Sequence, residues 1–135
     1  MAYQSRIWPD HRLHVLSFSG RLNAAIINEG TAAYFASSRF SPDQNQIIDL
    51  TAVDDYDLGF SSLMSVIRFK VPYMAKLDRT VRYVLLSPTE TDFGMARMYQ
   101  QMTDSHYAFG ILTARSWPEA MRLVGIDADS PDALS

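Results

Sequence analysis

One stretch, Gln46 to Lys70, constrains the fold of this chain most, because it combines the signals of a strand, a loop and a helix. Its first part carries three closely spaced apolar residues: Ile47, Ile48 and Leu50. Such a run is typical of a strand that is buried on both faces. Three carboxylates follow: Asp54, Asp55 and Asp57. We expect these in an acidic loop beyond the carboxyl end of the strand, which is where open α/β sheets bind ligands.

The last part of the same stretch has apolar residues at intervals of three and four, the spacing of one helix face. They are Phe60, Leu63, Met64, Ile67 and Val71. This stripe predicts an amphipathic helix that packs on the core. Pro72 is expected to kink or end the helix, because proline cannot donate a helical hydrogen bond.

Strand-forming composition and capping residues predict the remaining elements. Strands are expected at 3–8, 12–19, 80–86 and 107–112, with Gly20 closing the second. Helices are expected behind three N-caps: to about residue 38 after Asn23, to about residue 103 after Ser87, and at 120–124 after Ser116. The order β-β-α-β-α-β-α-β-α predicts an α/β fold: a mixed, mostly parallel sheet of four or five strands with about four helices. The first hairpin is expected to supply one antiparallel edge. We expect one domain over 1–126 and a disordered tail over 127–135.

Composition excludes several classes of function. The chain has 135 residues, a net charge of −3 and no cysteine. A basic patch for nucleic acid is missing, as are the thiols needed for disulfides, zinc-thiolate sites or cysteine nucleophiles. The sequence shows no signal peptide and no apolar run of membrane-spanning length, so we expect a cytoplasmic protein without membrane insertion.

The acidic residues Asp54, Asp55 and Asp57 have two readings. Carboxylate oxygens suit Mg²⁺, but a solvated loop in which Asp57 caps the following helix is favoured. His11 and His14 lie three apart on a predicted strand and should face opposite sides of the sheet. We therefore expect no metal, no cofactor and no catalytic residue.

The third helix is apolar around more than one face. Its soft and aromatic residues include Met95, Met98, Tyr99 and Met102, with Tyr107 nearby. They fit a dimer interface, a lipid-like pocket or plain core. Arg97 lies among them and is expected to contact a bound anion or the acidic loop, or, as the favoured reading, to form an ion pair at the sheet edge. Gly94 is read as a close packing contact.

The chain resembles the STAS-like superfamily, and more closely the small bacterial SpoIIAA-like (STAS/SEC14-related) proteins, over about residues 3–126. The resemblance rests on four motifs: Phe18-Ser19-Gly20, Ile47-Ile48-Asp49-Leu50, Phe93-Gly94-Met95-Ala96-Arg97-Met98-Tyr99 and Ser116-Trp117-Pro118-Glu119-Ala120. It implies a STAS-like sheet and a regulatory role. Family members that act as phospho-switches carry an Asp-Ser pair at the start of the helix after the central strand. Here Asp57 matches the aspartate but Leu58 replaces the serine, so no phosphorylation is expected.

These observations favour a non-enzymatic interaction or regulatory module, a homodimer with an unknown protein partner. The alternative is a small-molecule or lipid-binding protein with a Met/aromatic-lined pocket between the second and third helices. A metal-dependent enzyme at the acidic loop is the third hypothesis.

Overall fold

The computed structural model describes residues 2–104 and 106–134. Within those ranges strands and helices alternate in the predicted order: β1 (Tyr3–Trp8), β2 (Leu13–Asn23), α1 (Ala24–Phe35), β3 (Asn45–Asp57), α2 (Phe60–Met74), β4 (Tyr83–Leu86), α3 (Glu90–Thr103), β5 (Ile111–Ala114) and α4 (Trp117–Leu123). Single turns of 3-10 helix lie at Pro9–His11 and Pro131–Ala133. The predicted α/β class is confirmed.

The five strands form one sheet in sequence order, β1-β2-β3-β4-β5. β1 runs antiparallel to β2, and the other neighbours are parallel. This confirms the mostly parallel sheet with one antiparallel edge. Because successive parallel strands are added in one direction, the crossover helices α1, α2 and α3 share a face of the sheet.

Side-chain alternation along the strands divides the interior into two cores. Ile48 and Leu85 face the larger core under α1, α2 and α3. Ile47 and Val84, their neighbours in sequence, face the smaller core under α4. The apolar run in the central strand is therefore buried on both faces, as predicted.

The predicted acidic loop is a strand. β3 continues to Asp57, and β2 continues past Gly20 to Asn23 as its parallel partner. The ladder shifts register twice, between Ser17 and Ser19 and again between Gly20 and Arg21. Gly20 has φ of +72°, a conformation that glycine adopts without strain. Gly20 therefore accommodates a local irregularity in the β2–β3 ladder, at the position where the sequence predicted that the strand would end.

The core-facing stripe of α2 differs from the prediction. The buried residues are Leu63, Val66, Ile67, Lys70 and Met74. They have the same spacing as the predicted stripe, rotated so that Phe60 is 66% exposed and Val71 is 38% exposed. The prediction was wrong because it excluded Lys70 from an apolar face. Pro72 lies within the last turn without ending the helix, which continues to Met74.

Two of the helix starts also differ from the predictions. Thr89, rather than Ser87, caps α3, and its hydroxyl oxygen accepts the backbone N–H of Asp92 at 3.0 Å. Gly59, rather than Asp57, precedes α2, and its N–H donates to the Ser62 hydroxyl at 2.8 Å. The predicted caps of α1 and α4, at Asn23 and Ser116, are confirmed.

Two segments near the carboxyl terminus lie elsewhere than predicted. The strand expected at 107–112 begins only at Ile111 and extends to Ala114. The tail, expected to be disordered, follows the smaller core over residues 127–134: Pro131 is buried, and Ala128 and Leu134 pack against that core. Residue 135 lies outside the described part.

Candidate functional site

The larger core contains a cavity of about 60 Å³ between the sheet and the three crossover helices. Its walls combine strand residues such as Phe18 and Ile48 with helix residues such as Val66 and Ala96. Fourteen side chains line it: Phe18, Leu22, Ile27, Ile48, Leu50, Tyr56, Leu58, Leu63, Val66, Lys70, Leu85, Met95, Ala96 and Tyr99. Lys70 is the one charged residue in that set.

The cavity has a deep end and an end nearer solvent. Among the described residues that line it, Tyr56, Leu58 and Met95 are partly exposed and the others are buried. These three lie at the end of β3, in the β3–α2 connection and on α3. The mouth is therefore at the carboxyl end of the parallel strands, the usual ligand edge of such sheets.

Lys70 supplies the polar chemistry of the deep end. It lies on α2 and is 4% exposed, and its Nζ donates to the hydroxyl of Tyr83 at 3.0 Å. The ammonium also lies 5.5 Å from the ring centre of Tyr99, a distance at which cations are attracted to aromatic faces. No carboxylate of residues 2–104 or 106–134 forms an ion pair with it.

Tyrosine hydroxyls border both ends of the cavity. Near the deep end, Tyr99 and Tyr107 share a hydrogen bond of 2.8 Å, and burial raises the pKa of both phenols. At the mouth, Tyr56 donates to Oδ1 of Asp92, and burial together with this carboxylate raises the pKa of Tyr56. These phenols stay neutral near neutral pH and serve as hydrogen-bonding groups.

Asp92 is buried and only half satisfied. It is 2% exposed, and its second oxygen, Oδ2, has no hydrogen-bond partner among the described residues. A buried carboxylate oxygen without a partner is costly. Asp92 therefore depends on Tyr56 and on its place in the first turn of α3, where the helix dipole favours negative charge.

The three carboxylates predicted to lie in an acidic loop do not form a common ligand site. Asp55 and Asp57 both approach Arg21 of the neighbouring strand, at 3.3 and 3.8 Å. Asp54 has no partner in the β2–β3 register, because the ladder shifts there. No group of three or more potential metal ligands is placed together in the part of the chain that the structure describes. Asp55 and Asp57 therefore form exposed ion pairs with Arg21, and Asp54 takes no part in them.

Arg97 makes neither the ion pair nor the acidic-loop contact expected of it. It is exposed on α3, and its guanidinium carbon lies 5.9 Å from the centre of the Phe93 ring. Within the described ranges, the arginine that pairs with an acidic residue of α3 is Arg115, which contacts Glu90 at 3.0 Å. Gly94 is also not a packing contact, since a Cβ added there would meet no described atom within 4 Å.

The methionines of α3 lie in two places, the cavity wall and the edge of the larger core. Met95 and Tyr99 line the cavity, whereas Met98 and Met102 are half-buried and pack against the edge of the larger core. Met95 and Tyr99 of α3 thus line the cavity together with Leu63, Val66 and Lys70 of α2.

A second polar cluster lies under α1, around His14. His14 is in β2, whereas His11 lies in the preceding 3-10 turn, so the strand geometry assumed for the two was wrong. The ring of His14 stacks on that of Tyr34 with centres 3.5 Å apart. Its Nδ1 lies 2.6 Å from Oε1 of Gln46, and its Nε2 lies 2.8 Å from the hydroxyl of Ser5.

The donor and acceptor roles in the hydrogen bonds of this cluster can be assigned from one backbone carbonyl. Nε2 of Gln46 donates to the carbonyl of Gln44 at 3.0 Å, so its Oε1 must accept from Nδ1 of His14. His14 is therefore the neutral Nδ1–H tautomer, and Ser5 donates to its Nε2. Burial lowers the pKa of His14 to about 4, which keeps it neutral at physiological pH. The network has a structural role, since each of its side chains is already satisfied.

Sequence analysis missed the residues that give the cavity its character: Lys70, Tyr56, Tyr83 and Asp92. One signal for Lys70 was present, because it stands at the i+3 position from Ile67 on an otherwise apolar stripe. The pairing of Tyr56 with Asp92, 36 positions apart, has no local signal.

Comparison with known proteins leaves the family open. No protein-family model matches the chain, and no curated protein matches it. Among the described residues, no helix is both long enough and apolar enough to cross a membrane.

Proposed function

We propose that this protein is a non-enzymatic binding protein that takes up a small, largely apolar molecule in the cavity between α2 and α3. The observation that carries the proposal is the cavity itself: fourteen lining side chains, of which only Lys70 is charged. Small-molecule sites typically combine an apolar lining with a few polar groups that fix orientation. The tyrosine hydroxyls and the Lys70 ammonium provide those groups here.

The position of the cavity supports the same proposal. It opens at the carboxyl ends of the parallel strands, between helices whose Met and Leu side chains adapt to different shapes. Met95 and Leu58 lie at the mouth and are partly exposed, so they can move aside to admit a molecule without disturbing the buried sheet residues.

The test is to fill the cavity. Ala96 lines it and is 2% exposed, so Ala96→Val adds two carbon atoms to the space a ligand needs. Titration of the wild-type protein with butyramide and with butyrate, followed by the methyl NMR signal of Met95, should give saturable shifts with at least one probe. Ala96→Val should abolish them. Ala33→Val makes the same change at an exposed position of α1 and should leave binding unchanged. Absence of saturable shifts with both probes in the wild-type protein would refute the proposal.

The second candidate is a STAS-like interaction module that forms a homodimer. Exposed apolar side chains on α2 favour it, with Phe60 66% exposed and Phe69 37% exposed, and the half-buried Met98 and Met102 of α3 extend the apolar surface. A charge at Met98 or Met102 should then separate the dimer and leave a folded monomer.

Light scattering across a range of concentrations tests this second candidate. Met98→Asp should lower the measured mass to that of a monomer, with far-ultraviolet circular dichroism unchanged. Gln101→Asp introduces the same charge at an exposed position of the same helix and serves as the control. A wild-type protein that is monomeric throughout, or a Met98→Asp variant that unfolds, would remove support for this interface.

A further inference from the structure

Lys70 has hydrogen-bonding capacity that the described residues do not use. An ammonium carries three N–H donors. One is used by the Tyr83 hydroxyl at 3.0 Å, and the Tyr99 ring, 5.5 Å from the ammonium, offers only an aromatic face. Since Lys70 lines the cavity and is only 4% exposed, the remaining donors are buried beside that space.

The charge of Lys70 is also uncompensated. Taking an ammonium out of water is costly unless an anion accompanies it. The ion pairs formed by described residues do not include Lys70. The other buried carboxylates among the described residues do not line the cavity: Asp49 accepts from the hydroxyls of Ser17 and Thr51, and Asp92 accepts from Tyr56 at the mouth. A bound anion is the partner that this arrangement is missing.

From these observations we infer that the ligand is a short-chain monocarboxylic acid, whose carboxylate pairs with Lys70 and whose alkyl chain lies toward Leu58 and Met95. The inference rests on the proposed function, because it specifies what the same cavity holds. A hydrogen bond between an ammonium and a carboxylate is about twice as strong as one between neutral groups. The anionic end of a ligand therefore belongs at the deep end, and the apolar end toward the mouth.

Cavity size limits the length of the chain. A volume of about 60 Å³ is well below the roughly 150 Å³ cavity that holds benzene. The cavity encloses only a few non-hydrogen atoms, so the carboxylate and the first carbons fill it, and the end of a chain of about three to five carbons reaches the partly exposed mouth at Leu58 and Met95. One lysine also favours a monoanion, since phosphate groups are commonly bound by several converging donors.

Paired probes of equal shape test the inference. Butyrate and butyramide differ in charge but hardly in size, and the Met95 methyl signal reports binding of either. We expect the wild-type protein to bind butyrate at least tenfold more tightly than butyramide. Lys70→Met keeps an unbranched side chain of similar length without its charge, so it should bind the two probes with similar Kd values. Lys76→Met removes an exposed lysine and should retain the wild-type preference.

A second measurement needs no variant at position 70. Lys70 and Lys76 are the only two lysines, so selective ¹³C-lysine labelling gives two Cε signals, and Lys76→Met assigns them. Butyrate should shift the Lys70 signal alone, with the same Kd as the Met95 shift. Butyrate binding that leaves the Lys70 signal unmoved would overturn the inference.

The outcomes separate the two proposals. Equal binding of butyrate and butyramide by the wild-type protein overturns the charged-ligand inference and leaves the binding-protein proposal standing. Preference for butyrate that is lost in Lys70→Met supports both. Failure of both probes to bind overturns both.

Discussion

The ammonium of Lys70 donates to the hydroxyl of Tyr83 at 3.0 Å, and this bond joins the C-terminal half of α2 to the first residue of β4. Both side chains are buried, Lys70 at 4% and Tyr83 at 2% exposure. In the described ranges the Tyr83 hydroxyl is the only acceptor for this ammonium. The relationship therefore stabilises a charge that an otherwise apolar cavity would exclude.

We expect Tyr83→Phe to lower the free energy of unfolding by about 1–3 kcal/mol, because the ring stays but a buried donor loses its acceptor. Urea denaturation of wild type and variant measures the change. Tyr73→Phe is the matched control, since Tyr73 is half-buried and its hydroxyl has no hydrogen bond to a described residue. Equal losses in the two variants would show that the Lys70–Tyr83 bond contributes nothing specific.

Tyr56→Phe should cost about 2–3 kcal/mol of unfolding free energy, because it leaves both oxygens of the buried Asp92 carboxylate without a side-chain donor. A double-mutant cycle with Asp92→Asn isolates the effect. In the Asp92→Asn background, Tyr56→Phe should cost at least about 1 kcal/mol less, since no charge is then stranded. A cycle in which the two changes are additive would contradict the pairing.

Alanine at two helical glycines should have opposite effects. At Gly94 of α3 an added Cβ meets no described atom within 4 Å, so Gly94→Ala should raise stability by about 0.5–1 kcal/mol through helix propensity. At Gly30 of α1 the Cβ would come within 3.3 Å of Leu16 and Phe18. Gly30→Ala should lower stability by about 1 kcal/mol, since overpacking outweighs propensity. Thermal unfolding of both variants gives the signs, and stabilisation by Gly30→Ala would show that the Leu16 and Phe18 side chains move aside at this contact.

Stability should fall as the pH drops from about 6.5 to 4, through His14. Burial lowers its pKa to about 4 in the folded protein, against 6.5 when exposed. Between these values the unfolded chain binds more protons, so acid favours unfolding, by about 3 kcal/mol over the whole range. Carboxylates also titrate there, so the measured quantity is the difference between wild type and His14→Gln.

Urea denaturation at several pH values gives that difference. The advantage of wild type over His14→Gln should shrink as the pH is lowered and become constant below about pH 4. His11→Gln removes an exposed histidine and serves as the control. A His14→Gln difference that does not vary with pH would mean that His14 titrates normally.

Local patterns were sufficient for much of the fold. The element order, the buried central strand, the caps at Asn23 and Ser116 and the antiparallel first hairpin were all predicted. Each of these features depends on residues that are close in sequence. A strand is indicated by apolar residues at every second position, a helix by apolar residues three and four positions apart, and a helix start by a capping side chain within one turn. These interactions form regardless of how the rest of the chain is arranged.

Errors arose where distant partners decide the outcome. The acidic segment became strand because β2 continued alongside it and Arg21 faces Asp55 and Asp57. The stripe of α2 rotated to bury Lys70 because Tyr83 and Tyr99 receive its ammonium. From the sequence alone, polar and charged residues are expected at the surface. Their burial is favourable only when a partner from another element offsets the loss of hydration.

The sequence by itself therefore determined the class of fold and the alternation of strands and helices, because hydrophobic periodicity and capping act over a few residues. Only the tertiary structure decided the site: which side chains line the cavity, that Lys70 is among them, and that Tyr56 meets Asp92. Those contacts join segments tens of residues apart, and their energy depends on burial and charge that exist only once the helices pack on the sheet.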